Sequence, residues 1–358
     1  MSQYGTHLLV NKKNIRNAQI LSKECSASDL LEGEILLEVE SFAYTSNNTT
    51  YAVFGDRIGY WHFYPTSSED FGMIPCWGFA KVTASRADEI AVGSRYYGFY
   101  PMGTQLIAQP GKISPFGWTD IKLHRGPLPA IYNQYYDCAT DPIYRPEVEG
   151  LLSVFRPLFT TSYLIHDMYA GKAYMGAEQI ILTSASSKTA LALAFCLKDD
   201  PVKVIGLTSP HRVDQVKASG YYDTVVAYND VASIDHKPSS IVDFSGSSSV
   251  KNALADHLED KLTYLCLVGF VDWEAPGEAN KGPKGEMFFA PAFAQQKVKE
   301  VGIEAFTASL GKQLGAFISD SVAWISLENT SGPEALLSLH RLITDGKADA
   351  SKGYIVSL

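Results

Sequence analysis

What this sequence lacks narrows its chemistry first. Its five cysteines, Cys25, Cys76, Cys138, Cys196 and Cys266, stand about fifty to seventy residues apart, with no CxxC pair and no cysteine–histidine cluster. An odd, dispersed set excludes a disulfide scaffold and a zinc finger, and fits buried thiols in a reducing compartment. Positive charge is not in excess: 30 Lys and Arg face 39 Asp and Glu, a net of −9, with the basic residues scattered. Nucleic acid is therefore not an expected partner, because backbone phosphates demand a basic stripe. No run approaches the roughly 20 apolar residues of a membrane span, and the polar first residues lack the apolar stretch of a signal peptide. A cytoplasmic protein with no membrane partner is the expectation. The two overlapping sequons in Asn47-Asn48-Thr49-Thr50 are then chance matches.

Repeats and low-complexity stretches are also missing, so the informative contrast lies between two halves of a chain long enough for two domains. Residues 42–136 hold 20 of the 42 aromatics, punctuated by Gly, Pro and Asp, which reads as short strands and loops. From about Gly176 the texture changes. Strand patterns at 179–183, 202–207, 224–227, 241–244 and 262–268 alternate with helical patterns at 188–198 (KTALALAFCLK), 210–219 and 248–258. Such alternation implies a doubly wound parallel sheet with helices on both faces. The last segment, 324–358, reads as strand, helix (333–343), glycine turn and terminal strand (354–358).

Glycine is absent where a dinucleotide site most wants it. The first strand of the wound half runs into Ser184-Ala185-Ser186-Ser187-Lys188-Thr189, small and polar at the place where helix N–H groups bind pyrophosphate. Ser187 is equally suited to cap the helix, and Lys188 either contacts phosphate or is solvated. The second strand ends in Thr208-Ser209-Pro210-His211-Arg212, without the acid that binds a ribose 2′-hydroxyl. Two hydroxyls and a guanidinium suit a 2′-phosphate, which favours NADPH over NADH. Phe244-Ser245-Gly246 and Val268-Gly269-Phe270 follow later strands, where the ligand crevice of such a sheet lies. SSKT looks like the end of a P-loop, but the two glycine positions hold Leu182 and Ser187, so nucleotide hydrolysis is not expected. Nor is there a GxSxG hydrolase elbow.

Taken in order, these segments resemble the medium-chain dehydrogenase/reductase superfamily, on its quinone-reductase-like branch. The second half carries 180–198, 202–228 (VKVIGLTSPHRVDQVKASGYYDTVVAY), 242–246 and 265–270. The first carries 33–39 (GEILLEV), 74–82 (IPCWGFAKV) and 91–97 (AVGSRYY), and the ending GKADASKGYIVSL also fits. More narrowly, AYTSNNTTYAVFGD, WHFYP, HRGPLPAIYNQY and FFAP resemble a branch catalogued as a family of unknown function. The resemblance implies an α/β protein with a GroES-like β-rich catalytic domain, 1–155 completed by 321–358, and a Rossmann NADP-binding domain, 156–320. It implies NADP contacts from Ser184 to Thr189 and from Thr208, Ser209, Arg212 and Tyr228, the last placed against the 2′-phosphate. It also implies a homodimer.

Zinc is not implied. Where the zinc-binding relatives carry ligands this chain reads Thr45-Ser46-Asn47-Asn48 and Trp77-Gly78, and three Cys, His or acid ligands cannot be assembled by motif. The reading is an NADPH-dependent, metal-independent reductase of a small molecule such as a quinone, enone or carbonyl compound. Its alternative is a non-catalytic NADP(H)-binding or sensor protein. Asn48 and Tyr51 are the expected catalytic donors, with Asn47 and Thr161 binding substrate, because amides and phenols can stabilise charge growing on an acceptor oxygen. The bland alternative is that the asparagines make a turn and Tyr51 fills the core. The aromatic excess suits a flat or apolar acceptor, although packing also explains it. His124-Arg125 either binds an acidic substrate group or shapes a lid, a solvated loop being the usual fate of such a pair.

Overall fold

The structure is a computed structural model that describes residues 5–23, 26–57, 59–268 and 285–358. The chain divides into two compact units, 1–154 with 325–358, and 155–324.

The first unit is built mostly from antiparallel strands. β1 (Gly5–Asn11) pairs with β2 (Ala18–Lys23). β3 (Ile35–Tyr44) leads into helix α1 (Ser46–Val53). Next come β4 (Phe71–Gly72), β5 (Pro75–Ser85), β6 (Arg95–Pro101), β7 (Gln105–Ala108), β8 (Pro110–Ser114), β9 (Gly117–Asp120) and β10 (Gln134–Asp137). β5 is the hub: it pairs antiparallel with β3 on one side and β6 on the other. Gly78 is where β5 crosses β3 most tightly, since a Cβ there would stand 2.1 Å from the Ser41 carbonyl oxygen. No side chain fits at that distance.

Helix α2 (Glu149–Gly171) runs from the end of this stretch into the second unit. It was not anticipated, because Pro157 and the Thr160-Thr161-Ser162 run are poor helix formers. Burial overrides propensity: Leu152, Phe155, Phe159 and Ile165 are all sequestered.

In the second unit β11 (Gln179–Thr183), α3 (Lys188–Leu197), β12 (Lys203–Thr208), α4 (Val213–Ala218), β13 (Thr224–Ala227), β14 (Ser239–Asp243), α5 (Ser248–Leu258) and β15 (Leu262–Leu267) follow the expected alternation. The helix expected over 210–219 is split into a 3-10 turn, Pro210–Arg212, and α4, the tightening common in a first helical turn. β16 (Glu286–Met287) adds an edge, and α6 (Ala290–Val301) and α7 (Ile303–Ser321) close the unit. The sheet is parallel throughout, in the order β13-β12-β11-β14-β15-β16. Numbered within the sheet this is 3-2-1-4-5-6, the Rossmann order. Its core joins Ile181, Ile205, Leu207 and Ile241 to Leu254 and Leu258 of α5.

The chain then returns to the first unit through β17 (Ser326–Ser331), α8 (Pro333–Thr344) and β18 (Lys352–Ser357). β18 joins the large sheet antiparallel to β3 and parallel to β17. α8 is anchored by His340, fully buried, whose Nε2 donates to the Ile15 carbonyl at 2.7 Å while Nδ1 accepts from the Tyr44 hydroxyl at 2.5 Å. Both ring nitrogens are thereby used by the neutral imidazole.

Candidate functional site

In a doubly wound sheet the crevice forms outside the carboxyl ends of the strands, where the order reverses. Here that point lies between β11 and β14. β11 ends at Thr183, and Ser184 then takes a left-handed conformation, φ +49°. Glycine adopts that region freely, whereas other residues reach it at a cost of order 1–3 kcal/mol. The turn therefore has a glycine's geometry without the glycine. The Ser184 amide donates to the Tyr228 hydroxyl at 3.0 Å, so the tyrosine following β13 closes over the turn.

Ala185, fully buried, donates its amide to the Leu207 carbonyl at 3.1 Å and accepts from the Tyr222 hydroxyl at 2.8 Å. Facing it on β12 is Gly206, where a Cβ would stand 3.0 Å from that of Ala185 and 2.9 Å from the Tyr222 ring. The glycine that permits close packing thus sits on the facing strand. Sequence reasoning passed over Gly206, although a glycine inside an otherwise apolar strand marks such an approach.

Ser186 accepts a hydrogen bond from Nη1 of Arg212 at 3.2 Å. Ser187 caps α3, accepting from the Ala190 amide at 3.2 Å, as the bland reading of it held. Lys188 and Thr189 occupy the first turn of α3 and are half-buried. Thr208 is buried at the end of β12, and Ser209, half-buried, precedes the turn that carries Arg212. Phe244 and Ser245 are buried beyond β14, and Gly246 follows at φ +68°, a left-handed position that favours glycine. Val268 donates its amide to the Asp243 carbonyl at 3.0 Å. Gly269 and Phe270 lie outside the described residues. Thr161 lies on α2 and spends its hydroxyl on the Pro157 carbonyl one turn back, at 3.2 Å.

In the first unit the candidate donors sit on α1. Asn48 is buried and engaged at both ends of its amide. Oδ1 accepts from the Thr45 amide at 2.8 Å, closing a capping box, and Nδ2 donates to the Pro75 carbonyl at 2.8 Å. Asn48 holds the helix start, as the turn-forming alternative for it held. Tyr51 is buried within a ring cluster, its centroid 4.5 Å from Tyr60 and 5.6 Å from Phe99. Its hydroxyl accepts from the Trp77 indole at 3.4 Å, and the half-buried Asn47 side chain stands near it. Burial, helped by the nearby Tyr60, pushes the Tyr51 phenol well above its usual range, so it stays protonated. Most of the unit's aromatics are spent on one another: Trp77 stacks on Tyr97, Trp118 on Tyr135, and Tyr60 bonds Tyr132.

For Arg125 both the acidic-substrate reading and the solvated-loop reading of His124-Arg125 are corrected. That guanidinium is 1% exposed, ion-paired with buried Asp120 at 3.0 Å and hydrogen-bonded to Asn133 at 3.2 Å. It also lies over the Tyr64 ring at 4.9 Å. A cation so neutralised is a structural pin. His124 is half-buried against the Phe63 carbonyl, and burial lowers its pKa, leaving it neutral. Both residues line a cavity of about 300 Å³ whose accessible wall also carries the Lys122–Glu34 ion pair, 2.7 Å. Among the described residues, one trio of potential metal-ligating groups comes together, His236, Glu259 and Asp260, all exposed. Also among them, no helix is long and apolar enough to cross a membrane.

Solved structures share this fold over nearly the whole chain. CurA from Vibrio vulnificus, in its complex with NADPH, is similar at 13% identity, 98% coverage of both chains and a TM-score of 0.57. A mutant enoyl thioester reductase from Candida tropicalis is similar at 11% identity, full coverage of both chains and a TM-score of 0.58. A putative NADPH:quinone reductase from Bacillus thuringiensis is similar at 10% identity, full coverage of both chains and a TM-score of 0.54. No curated protein sequence matches the chain. Residues 42–349 match the family described as Protein of unknown function (DUF2855). With that span covered, the chain belongs to the DUF2855 family, on a medium-chain dehydrogenase/reductase fold of GroES-like and Rossmann parts.

Proposed function

We propose that this protein is an NADPH-dependent reductase that transfers hydride to a quinone, enone or carbonyl acceptor without a metal. The observation that carries the reading is the reach of Arg212 from the acid-free end of β12 to Ser186 in the turn after β11, 3.2 Å away. This places a planar cation beside helix-start hydroxyls, at the edge where a dinucleotide phosphate is bound in this class of sheet. The NADPH complex of CurA and the reductases sharing the fold support it. In this reading the first unit is the catalytic domain and the second binds the dinucleotide; a homodimer and a cytoplasmic location belong to the same proposal.

Ser184 to Thr189 and the first amides of α3 would hold the pyrophosphate, while Thr208, Ser209, Arg212 and Tyr228 would hold the 2′-phosphate. The loops beginning at Phe244 and Val268 would border the nicotinamide half. Bound NADPH supplies the hydride; the chain must orient the acceptor and meet the charge developing on it. Tyr51 fits that task because its oxygen accepts from the Trp77 indole, which can only donate, and its own proton is left to give. Thr161, whose hydroxyl proton goes to the Pro157 carbonyl, would serve the acceptor only by contact through its methyl or by its lone pairs, and Asn48 would set the start of α1. Polarisation falls to Tyr51 and Asn47 rather than to a metal, since Thr45, Asn48, Trp77 and Gly78 stand where zinc ligands would be required.

Titration with NADPH and NADH, read by nicotinamide fluorescence and by thermal shift, tests this. Saturable binding preferring NADPH is expected, and Arg212→Ala should weaken NADPH about tenfold while sparing NADH. Absence of NADPH binding overturns the reading. Binding without turnover across quinones, enones and aldehydes would instead leave a nucleotide sensor.

A further inference from the structure

We infer that Asp243 is a positioning residue whose carboxylate ties the end of β11 to the start of α5 and so shapes the loop Phe244 to Ser247 for the nicotinamide half of the dinucleotide. The inference rests on the proposed NADPH binding and concerns Asp243, Thr183 and Lys251, to which that reading gives no role. Asp243 is fully buried as the last residue of β14. Its Oδ1 accepts from the Thr183 hydroxyl at 2.7 Å, the Ser245 hydroxyl at 2.7 Å, the Ser245 amide at 3.0 Å and the Gly246 amide at 3.2 Å. Thr183 completes the ring. Its hydroxyl donates to Asp243 and accepts from the amides of Phe244 at 2.9 Å and Ser245 at 3.1 Å, which uses its one proton and both lone pairs. Ser245 passes the constraint on, because its Oγ accepts from the amide of Ser247, the cap residue of α5, at 3.1 Å.

The charge balance is local. Lys251, in the first turns of α5, is itself buried and sets its ammonium 3.7 Å from Asp243 Oδ2, an oxygen with no hydrogen bond of its own. A buried carboxylate is tolerated only when paired and hydrogen-bonded, and such a node is worth most where backbone geometry must not drift. β11 and β14 flank the reversal of strand order, so the node stands at the point the dinucleotide crosses. Arg212, Ser209 and Tyr228 belong to the other side, with the ends of β12 and β13. The two halves of the ligand are therefore separable in an experiment.

The test compares NADPH with 2′,5′-ADP, which carries the phosphate end and no nicotinamide, by calorimetric titration of the full chain. Asp243→Asn and Thr183→Val should each weaken NADPH about tenfold and leave 2′,5′-ADP within about twofold, while Thr183→Ser, which keeps the hydroxyl, should restore NADPH binding. Equal loss of both ligands, or loss of neither, overturns the inference and leaves the node structural only. If Asp243→Asn does not fold, Ser245→Ala removes one 2.7 Å bond and reads the same comparison. Failure of the unmodified protein to bind NADPH would strike the proposed function instead, a result distinct from either.

Discussion

At the scale of single residues the decisive fact is how each polar group is spent. Asn48 and Tyr51 lie three residues apart, yet the amide has committed its oxygen and one proton to the chain, whereas the phenol retains its proton. Tyr51→Phe should therefore lower kcat about 100-fold, the lower end of what a positioned proton donor contributes, with NADPH affinity unchanged. A kcat within threefold of the parent would remove Tyr51 from the chemistry. Ser184 offers a second test. Replacing it by glycine relieves a left-handed φ costing of order 1–3 kcal/mol and adds unfolded-chain entropy of roughly 0.5–1 kcal/mol. Ser184→Gly should leave the unfolding midpoint unchanged or raise it by a few degrees, with nucleotide binding retained; a clear drop would show that the serine hydroxyl holds the turn.

Helices and strands show where sequence pattern carries and where it stops. α5 and the strands β11 and β13 fall where the apolar pattern puts them: α5 buries one helical face, and the two strands are short apolar runs bounded by turns. α2 and α7 were missed: one contains Pro157 and a run of hydroxyl residues, and both are held by ring contacts such as Phe155 and Phe159 against Phe317. α7 nonetheless carries its own helical period, with Phe306, Leu310, Leu314 and Phe317 buried along one face, and the sequence reading passed over it. α8 was legible as a helix, but its attachment was not. Burial lowers the pKa of His340, so the unfolded chain takes up a proton first as pH falls. Stability tied to this group is complete above about pH 6.5 and declines as pH drops toward the folded pKa. Tm measured between pH 7 and 5 should fall, and His340→Gln should flatten that slope even though it lowers the midpoint at pH 7. An unaltered slope would assign the acid sensitivity to other groups.

For the whole molecule, the aromatic wealth of the first unit governs its response to alkali. Burial pushes Tyr44, Tyr51, Tyr64, Tyr100 and Tyr132 well above their usual value and Tyr60 and Tyr135 to about 12. Unfolded tyrosines ionise near pH 10. These folded values are raised, so the stability they contribute is complete below about pH 10 and is lost above it. Tyrosinate absorbance and loss of near-ultraviolet circular dichroism should therefore appear together, as one cooperative alkaline transition; stepwise ionisation before unfolding would contradict this burial. The alternation of strands and helices from β11 to β15 and the acid-free end of β12 were determined by the sequence alone, because each is a property of local pattern or residue type. The tertiary structure decided the rest: a serine held in a glycine's conformation, a glycine on the facing strand, an arginine spent on Asp120, and a carboxylate joining two strand ends. These depend on which distant residues meet, and that is set by the packing of the folded chain rather than by spacing along it.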